Sequence, residues 1–125
     1  MTKTLFVSVG LLGINTAVRA DILAAGAAYG GPAQTQAVCY LYNAGPGVVS
    51  VTSNLIVREP NTALALTVDN CGALAAGSSC GIAANIVNNM AHSCRMLVSP
   101  SGADVRGSFE LRSAAGAVLN SVEMR

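Results

Sequence analysis

From residue 35 onward the chain is a succession of short segments in which apolar residues recur at every second position. In Thr35–Asn43, Ala37, Cys39 and Leu41 share one face, and Val38, Tyr40 and Tyr42 share the other. Val48–Arg58 is rich in β-branched residues and predicts a long strand, and a glycine-free run of that length is expected to carry a bulge. Ala63–Val68 puts Leu64, Leu66 and Val68 on one side. Cys80–Val87 alternates through Ile82, Ala84 and Ile86, and Ser93–Val98 through Cys94, Met96 and Val98. Val105–Arg112 and Val118–Met124 read as a closing hairpin around Ser113–Ala117. Upstream, the glycine- and alanine-rich Asp21–Ala33 predicts a loose edge strand, with Tyr29 as its only large anchor and Gly30-Gly31-Pro32 as its stop. Asn43-Ala44-Gly45-Pro46-Gly47, Glu59-Pro60-Asn61, Asn88-Asn89 and Ser99-Pro100-Ser101-Gly102 are turns by composition. Turn signals recur at roughly 8–12 residues and no segment sustains a helical period. The pattern predicts an all-β fold: a single domain of about seven or eight antiparallel strands over residues 21–125, at the turn spacing of sandwiches and barrels.

The parity of the last two segments also predicts their register. Val105, Phe109 and Leu111 share a face, as do Val118, Val122 and Met124. Both faces meet the core if Phe109 lies opposite Val122, Gly107 opposite Met124 and Ser113 opposite Val118, with Gly116 in the loop. Glu110, Arg112, Glu123 and Arg125 then turn to solvent.

Residues 1–20 break from the alternating pattern. Lys3 precedes an apolar run, Leu5–Val18, which ends in Val18-Arg19-Ala20, the order of charge, apolar core and small-residue exit found in a secretory signal. Cleavage after Ala20 is expected. The run is short for a membrane span and is interrupted by Asn15, so no stable span is expected. Removal of the segment takes away Lys3 and Arg19, leaving five arginines against six acids. A chain so close to neutral has no basic footprint for nucleic acid or acidic lipid. Hydrophobic residues make up 52% and charged residues 10%, enough for a core, although alanine and glycine supply much of that count. Tryptophan is absent and aromatics are 4%, few for a stacking platform.

Four cysteines behind a signal segment read as two disulfides and an oxidising compartment. Three pairings are possible. Cys71–Cys80 closes a short loop, and Cys39–Cys94 joins the second and sixth predicted strands on their apolar faces, the inter-sheet position of immunoglobulin domains; these are the pairs expected. The alternative, a metal site from the cysteines and His92, lacks the close pairs of structural zinc, so neither metal nor cofactor is expected.

The loop between Cys71 and Cys80 carries a wording of its own. Cys71, Gly72, Leu74, Gly77 and Cys80 form C-G-x-L-x-x-G-x-x-C, followed by an alternating strand. Upstream, Asn43-x-Gly45 leads into Val48, Val49 and Val51. In these features, over roughly Thr35–Arg112, the chain resembles bacterial immunoglobulin-like domains related to the abnormal-spindle/hydin class. It departs in having Ile86 and Val87 where the class carries an aromatic residue and a proline, and in adding Cys39 and Cys94. The resemblance implies an immunoglobulin-like antiparallel β-sandwich serving as a binding or architectural module outside the cytoplasm, and it names no activity.

Chemistry has little to rest on. His92 is the sole histidine, and its parity with Cys94 suits a structural role at a strand end. Among Asp21, Glu59, Asp69, Asp104, Glu110 and Glu123 no two stand close enough in sequence to suggest a shared site, and no glycine-rich phosphate loop opens a helix. A hydrolase is therefore disfavoured, and no catalytic residue is assigned. The expected function is that of a non-enzymatic secreted or envelope-associated module with a structural or protein-interaction role, its sheet edges offering strand addition to a protein partner. The alternative is a secreted inhibitor or effector that uses the disulfide-pinned loop Gly72–Ser79 as a rigid contact.

Overall fold

A computed structural model describes residues 19–87 and 89–125. The expected signal segment lies outside the described residues, apart from Arg19 and Ala20. The described chain is all-β, with β1 (Asp21–Ala28), β2 (Gln34–Asn43), β3 (Val49–Arg58), β4 (Thr62–Ala63), β5 (Val68–Asp69), β6 (Ala73–Leu74), β7 (Ser79–Asn85), β8 (His92–Ser99), β9 (Val105–Ser113) and β10 (Val118–Met124). Seven of these strands are long; β4, β5 and β6 have two residues each. Two antiparallel sheets pack face to face. One runs β1-β8-β3-β4 with β6 on the far end of β3, and the other runs β10-β9-β2-β7-β5. Among the described residues no helix is long and apolar enough to cross a membrane.

Alternation decides which side chains fill the space between the sheets. Ala37, Cys39 and Leu41 of β2 meet Ile56 of β3, Ile82 and Ala84 of β7, Met96 and Val98 of β8, and Phe109 and Leu111 of β9, all with no accessible surface. Cys39 and Cys94 pair across the sheets, and Cys71 pairs with Cys80. The two bonds mark an oxidising environment. By the chain-entropy relation, which is one account of how disulfides act, they contribute about 4.2 and 2.7 kcal/mol. Terms of that size matter where alanine fills much of the interior. The bulge expected in β3 lies between Val51 and Ser53.

The closing hairpin pairs Val122 with Phe109 and Met124 with Gly107, as the parity requires. Gly116 has φ +83° in the loop. The expected pairing of Ser113 with Val118 is not formed. A bulge places Arg112 opposite Val118 and restores the register at Asn120 and Leu111, so Val118 is exposed. The extra residue, Leu119, bends β10 where it leaves the loop.

Two further expectations are corrected. Tyr29 does not anchor the first strand; it lies beyond β1 and is exposed, and Leu23, Ala25 and Ala28 face the core instead. Residues 63–68 do not form one strand. Thr62 and Ala63 pair with the end of β3, whereas Val68 and Asp69 pair with β7 in the other sheet. Leu64 and Leu66 pack on the core while the chain crosses between the sheets. Alternation marks their apolar side, but a crossing segment has no continuous partner edge, so its pairing ends after two residues on each side.

The crossing covers one side of the sandwich. The amide of Asn54 donates to both carboxylate oxygens of Asp69, at 3.0 and 3.2 Å. On the other side, Ala24 and Arg125 exchange two main-chain bonds of 2.9 and 3.0 Å, and the Asn120 amide donates to the Tyr29 carbonyl. The long strand edges are thus partly occupied from within the chain.

Candidate functional site

The exposed face of the β10-β9-β2-β7-β5 sheet carries a group of interacting polar and aromatic side chains. Its origin is the outward parity of β2. Inward alternates fill the core, so Val38, Tyr40 and Tyr42 must point away from it. Sheet order sets their neighbours. Tyr40 lies between Gly81 on β7 and Ser108 on β9, Val38 between Ala83 and Glu110, and Gln36 between Asn85 and Arg112.

Gly81 shapes the centre of this face. A Cβ there would stand 3.2 Å from Cδ1 of Tyr40 and 3.3 Å from the Cys39 carbonyl oxygen. The Tyr40 ring leans across the space left empty by the glycine, an aromatic cover for a strand glycine. Arg112 holds the ring from the other strand. Its guanidinium carbon is 5.7 Å from the ring centre, and Nη2 donates to the Tyr40 hydroxyl at 3.1 Å. Nε and Nη2 also donate to Oε2 of Glu110, at 2.9 and 2.6 Å. Bonding to Glu110, and the nearby Tyr40, raise the Arg112 pKa above its ordinary value. Glu110 and Arg112 both retain some solvent access, so the pair serves geometry more than stability.

Two hollows flank Tyr40. One, of about 350 Å³, has Val38, Gly81 and Ala83 among its lining residues, with Tyr40, Val68 and Asn70 around it. The other, also about 350 Å³, is bordered by Tyr40, Tyr42 and Arg106 with Ser108 within it. Both volumes fall within the range of ligand sites. Tyr40 and Tyr42 retain 36% and 46% of their surface, so both rings are available for contact.

The other candidates are used structurally. Leu74, inside the Cys71–Cys80 loop, is buried. The loop is fastened to Asn43, a fully buried residue. The Asn43 side-chain amide donates to the Gly47 and Leu74 carbonyls at 2.7 and 2.9 Å, and its main chain bonds to Gly77 and Ser78. Gly77, with φ +73°, makes the turn. The loop is a plug at one end of the sandwich that leaves Ala75, Ala76 and Gly77 outward. All four cysteines are in disulfides, and among the described residues no three His, Cys, Asp or Glu side chains gather as a metal site would require. His92 is buried on the inner face of the opposite sheet and does not reach either hollow. Burial lowers its pKa below 6.5, with Arg58 adding to the effect and Met90 and Glu59 opposing it.

Sequence reasoning placed Tyr40, Tyr42, Glu110 and Arg112 on outward faces but did not bring them together. The missing fact was that β9 lies beside β2. Asn43 was legible only as a turn residue, since its bonds go to Gly47 and to a loop 31 residues away. No protein-family model, curated protein or solved structure matches the chain.

Proposed function

We propose that this protein is a non-enzymatic, exported immunoglobulin-like module, cleaved after Ala20, that binds a protein partner through the outer face of its β10-β9-β2-β7-β5 sheet. The observation that carries this reading is Tyr40, clamped over Gly81 by Arg112 and flanked by two hollows. Tyrosine and arginine dominate the energetics of protein interfaces, and a ring already held in place loses little freedom on binding. The near-neutral mature chain favours a protein over a polyanion. Strand addition at an edge has less support, because short pairings cover parts of β3 and β7 and main-chain bonds between Ala24 and Arg125 tie β1 to the end of β10. Contact through loop Gly72–Ser79 also has less support, because its one large side chain, Leu74, points inward.

The test uses oxidised protein beginning at Asp21, with a photo-crosslinker in place of Ser108, the β9 partner of Tyr40, against the exported fraction of its own cell. Crosslinking of one partner is expected, with Tyr40→Ala weakening that partner about thirtyfold, as truncating an interface anchor does. Equal binding by Tyr40→Ala, or crosslinks that form only from Ala75 or Ala76, would move the contact away from this face. Intact-mass measurement of the exported chain checks the cleavage site; retention of residues 1–20 would remove the basis for export.

A further inference from the structure

At the end of the sandwich remote from the cysteine plug, a buried histidine stands beside a half-buried arginine. His92 begins β8 and Arg58 ends β3, and the two are direct partners in the antiparallel register. They continue the inward rows of Cys94 and of Ile56, so both side chains project to the core side of their sheet. His92 is 1% exposed, and among the described residues neither ring nitrogen has a hydrogen-bond partner. Among the described residues Nε of Arg58 is also buried and without a partner.

We infer that this corner is an acid-sensitive latch, in which proton uptake by His92 beside Arg58 loosens the joined ends of β1, β3 and β8 while the rest of the sandwich stays folded. The charged surroundings favour release. From β3 come Arg58 and, just beyond it, Glu59, which is exposed. From β1 the register partner is Ala28, which carries no charge. From β2 the buried residue at this end is Gln34, also uncharged, whose amide is committed to the Val87 and Met90 carbonyls and to the Gly30 N–H. The described residues leading into β8, Ile86, Val87, Asn89, Met90 and Ala91, bear no charge; the Met90 carbonyl favours the imidazolium, but it already accepts from the Gln34 amide at 2.8 Å. A second cation at His92 would therefore meet Arg58 with only a solvated carboxylate nearby. Opening the corner to water relieves both the desolvation and the repulsion.

The fold limits how far such opening can spread. Two residues beyond His92, Cys94 is bonded to Cys39 in the opposite sheet. The disulfide holds β8 from Cys94 onward, leaving the release to the His92 end, where Glu59 N–H bonds the Ala91 carbonyl. Linkage sets the direction. A histidine whose pKa is lowered in the closed form favours that form at neutral pH, and the advantage is lost as pH falls below the ordinary value of 6.5. By about pH 5 an open form with an ordinary imidazole gains up to roughly thirtyfold over the closed one.

Hydrogen exchange on the oxidised protein, corrected for intrinsic rates and compared at about pH 7.5 and about pH 5, reads this directly. Protection around residues 57–59 and 91–93 is expected to fall between roughly fivefold and thirtyfold at the lower pH, with Leu41, Ile82 and Phe109 unchanged. His92→Gln should abolish the difference. An NMR titration of the wild-type ring provides a check that does not depend on that variant folding: the closed-form resonance should titrate below 6.5. Equal protection at the two pH values, loss spread over the whole core, a pH effect that survives His92→Gln, or a ring that titrates as a free histidine would each overturn the inference.

Discussion

The same substitution at two strand glycines should have opposite signs, because the two sites differ in what a methyl group would meet. Gly26 in β1 has nothing within 4 Å of the position a Cβ would take. At Gly107 in β9 that Cβ would lie 2.9 Å from Cβ of Met124, 3.0 Å from Cδ2 of Leu41 and 3.2 Å from Sδ of Met124. Neither glycine has the positive φ that would strain an alanine. Gly→Ala at either site reduces unfolded-state entropy and contributes about 0.4–1 kcal/mol of stability. At Gly26 that gain stands alone, so Gly26→Ala should be neutral or stabilising. At Gly107 it is opposed by overpacking of about 1–3 kcal/mol. The closest atom there is a backbone-anchored Cβ and cannot swing away as a side-chain tip would. The two variants should therefore differ by about 1–3 kcal/mol, or roughly 5–20 °C in Tm for a domain of this size. Urea melts on oxidised protein with unchanged m-values give the comparison. If Gly107→Ala proves as stable as Gly26→Ala, Met124 does not cover Gly107 and the placement of β10 is wrong.

Phe109, fully buried between Cys39 and Val122 in the register, should be the most damaging hairpin position: Phe109→Ala is expected to cost about 3–5 kcal/mol. Glu110→Ala, which releases one partly exposed ion pair, should cost under about 1 kcal/mol. Equal denaturation midpoints for the two would invert the assignment of faces. Replacing both Cys39 and Cys94 with alanine should destabilise more than replacing Cys71 and Cys80, since the first pair closes 55 residues of chain and the second 9. Cys39 and Cys94 are also fully buried, so their loss adds cavity to entropy. Thermal melts of the two double variants that rank the other way would show that the short bond matters more, through the plug it fastens.

Much of the fold was legible in the sequence, because strand alternation is a local property that burial enforces directly. The inward rows of β2, β8 and β9 follow from residue parity, and with them the positions of Cys39 and Cys94 on apolar faces. The pairing of Phe109 with Val122 and of Gly107 with Met124 follows in the same way, since a shift by one residue would bury Glu110 and expose Met124. The turn glycine at Gly116 was legible because only a short loop fits between those strands.

Period-two alternation names a face but never a neighbour. That limit explains each feature the sequence left open. Leu64 and Leu66 have an apolar side, yet only the tertiary path shows that the chain between them changes sheets. Tyr40, Gly81 and Arg112 come from three strands brought side by side by the order β9-β2-β7, and none of the three carries a local sign of the other two. His92 and Arg58 are 34 positions apart and meet through the β3–β8 register. Local sequence determined the side on which most strand residues stand, because burial acts on every strand separately; Val118 departs only because a bulge shifts the register there. Topology alone decided which outward and buried groups meet, because adjacency belongs to pairs of strands distant along the chain.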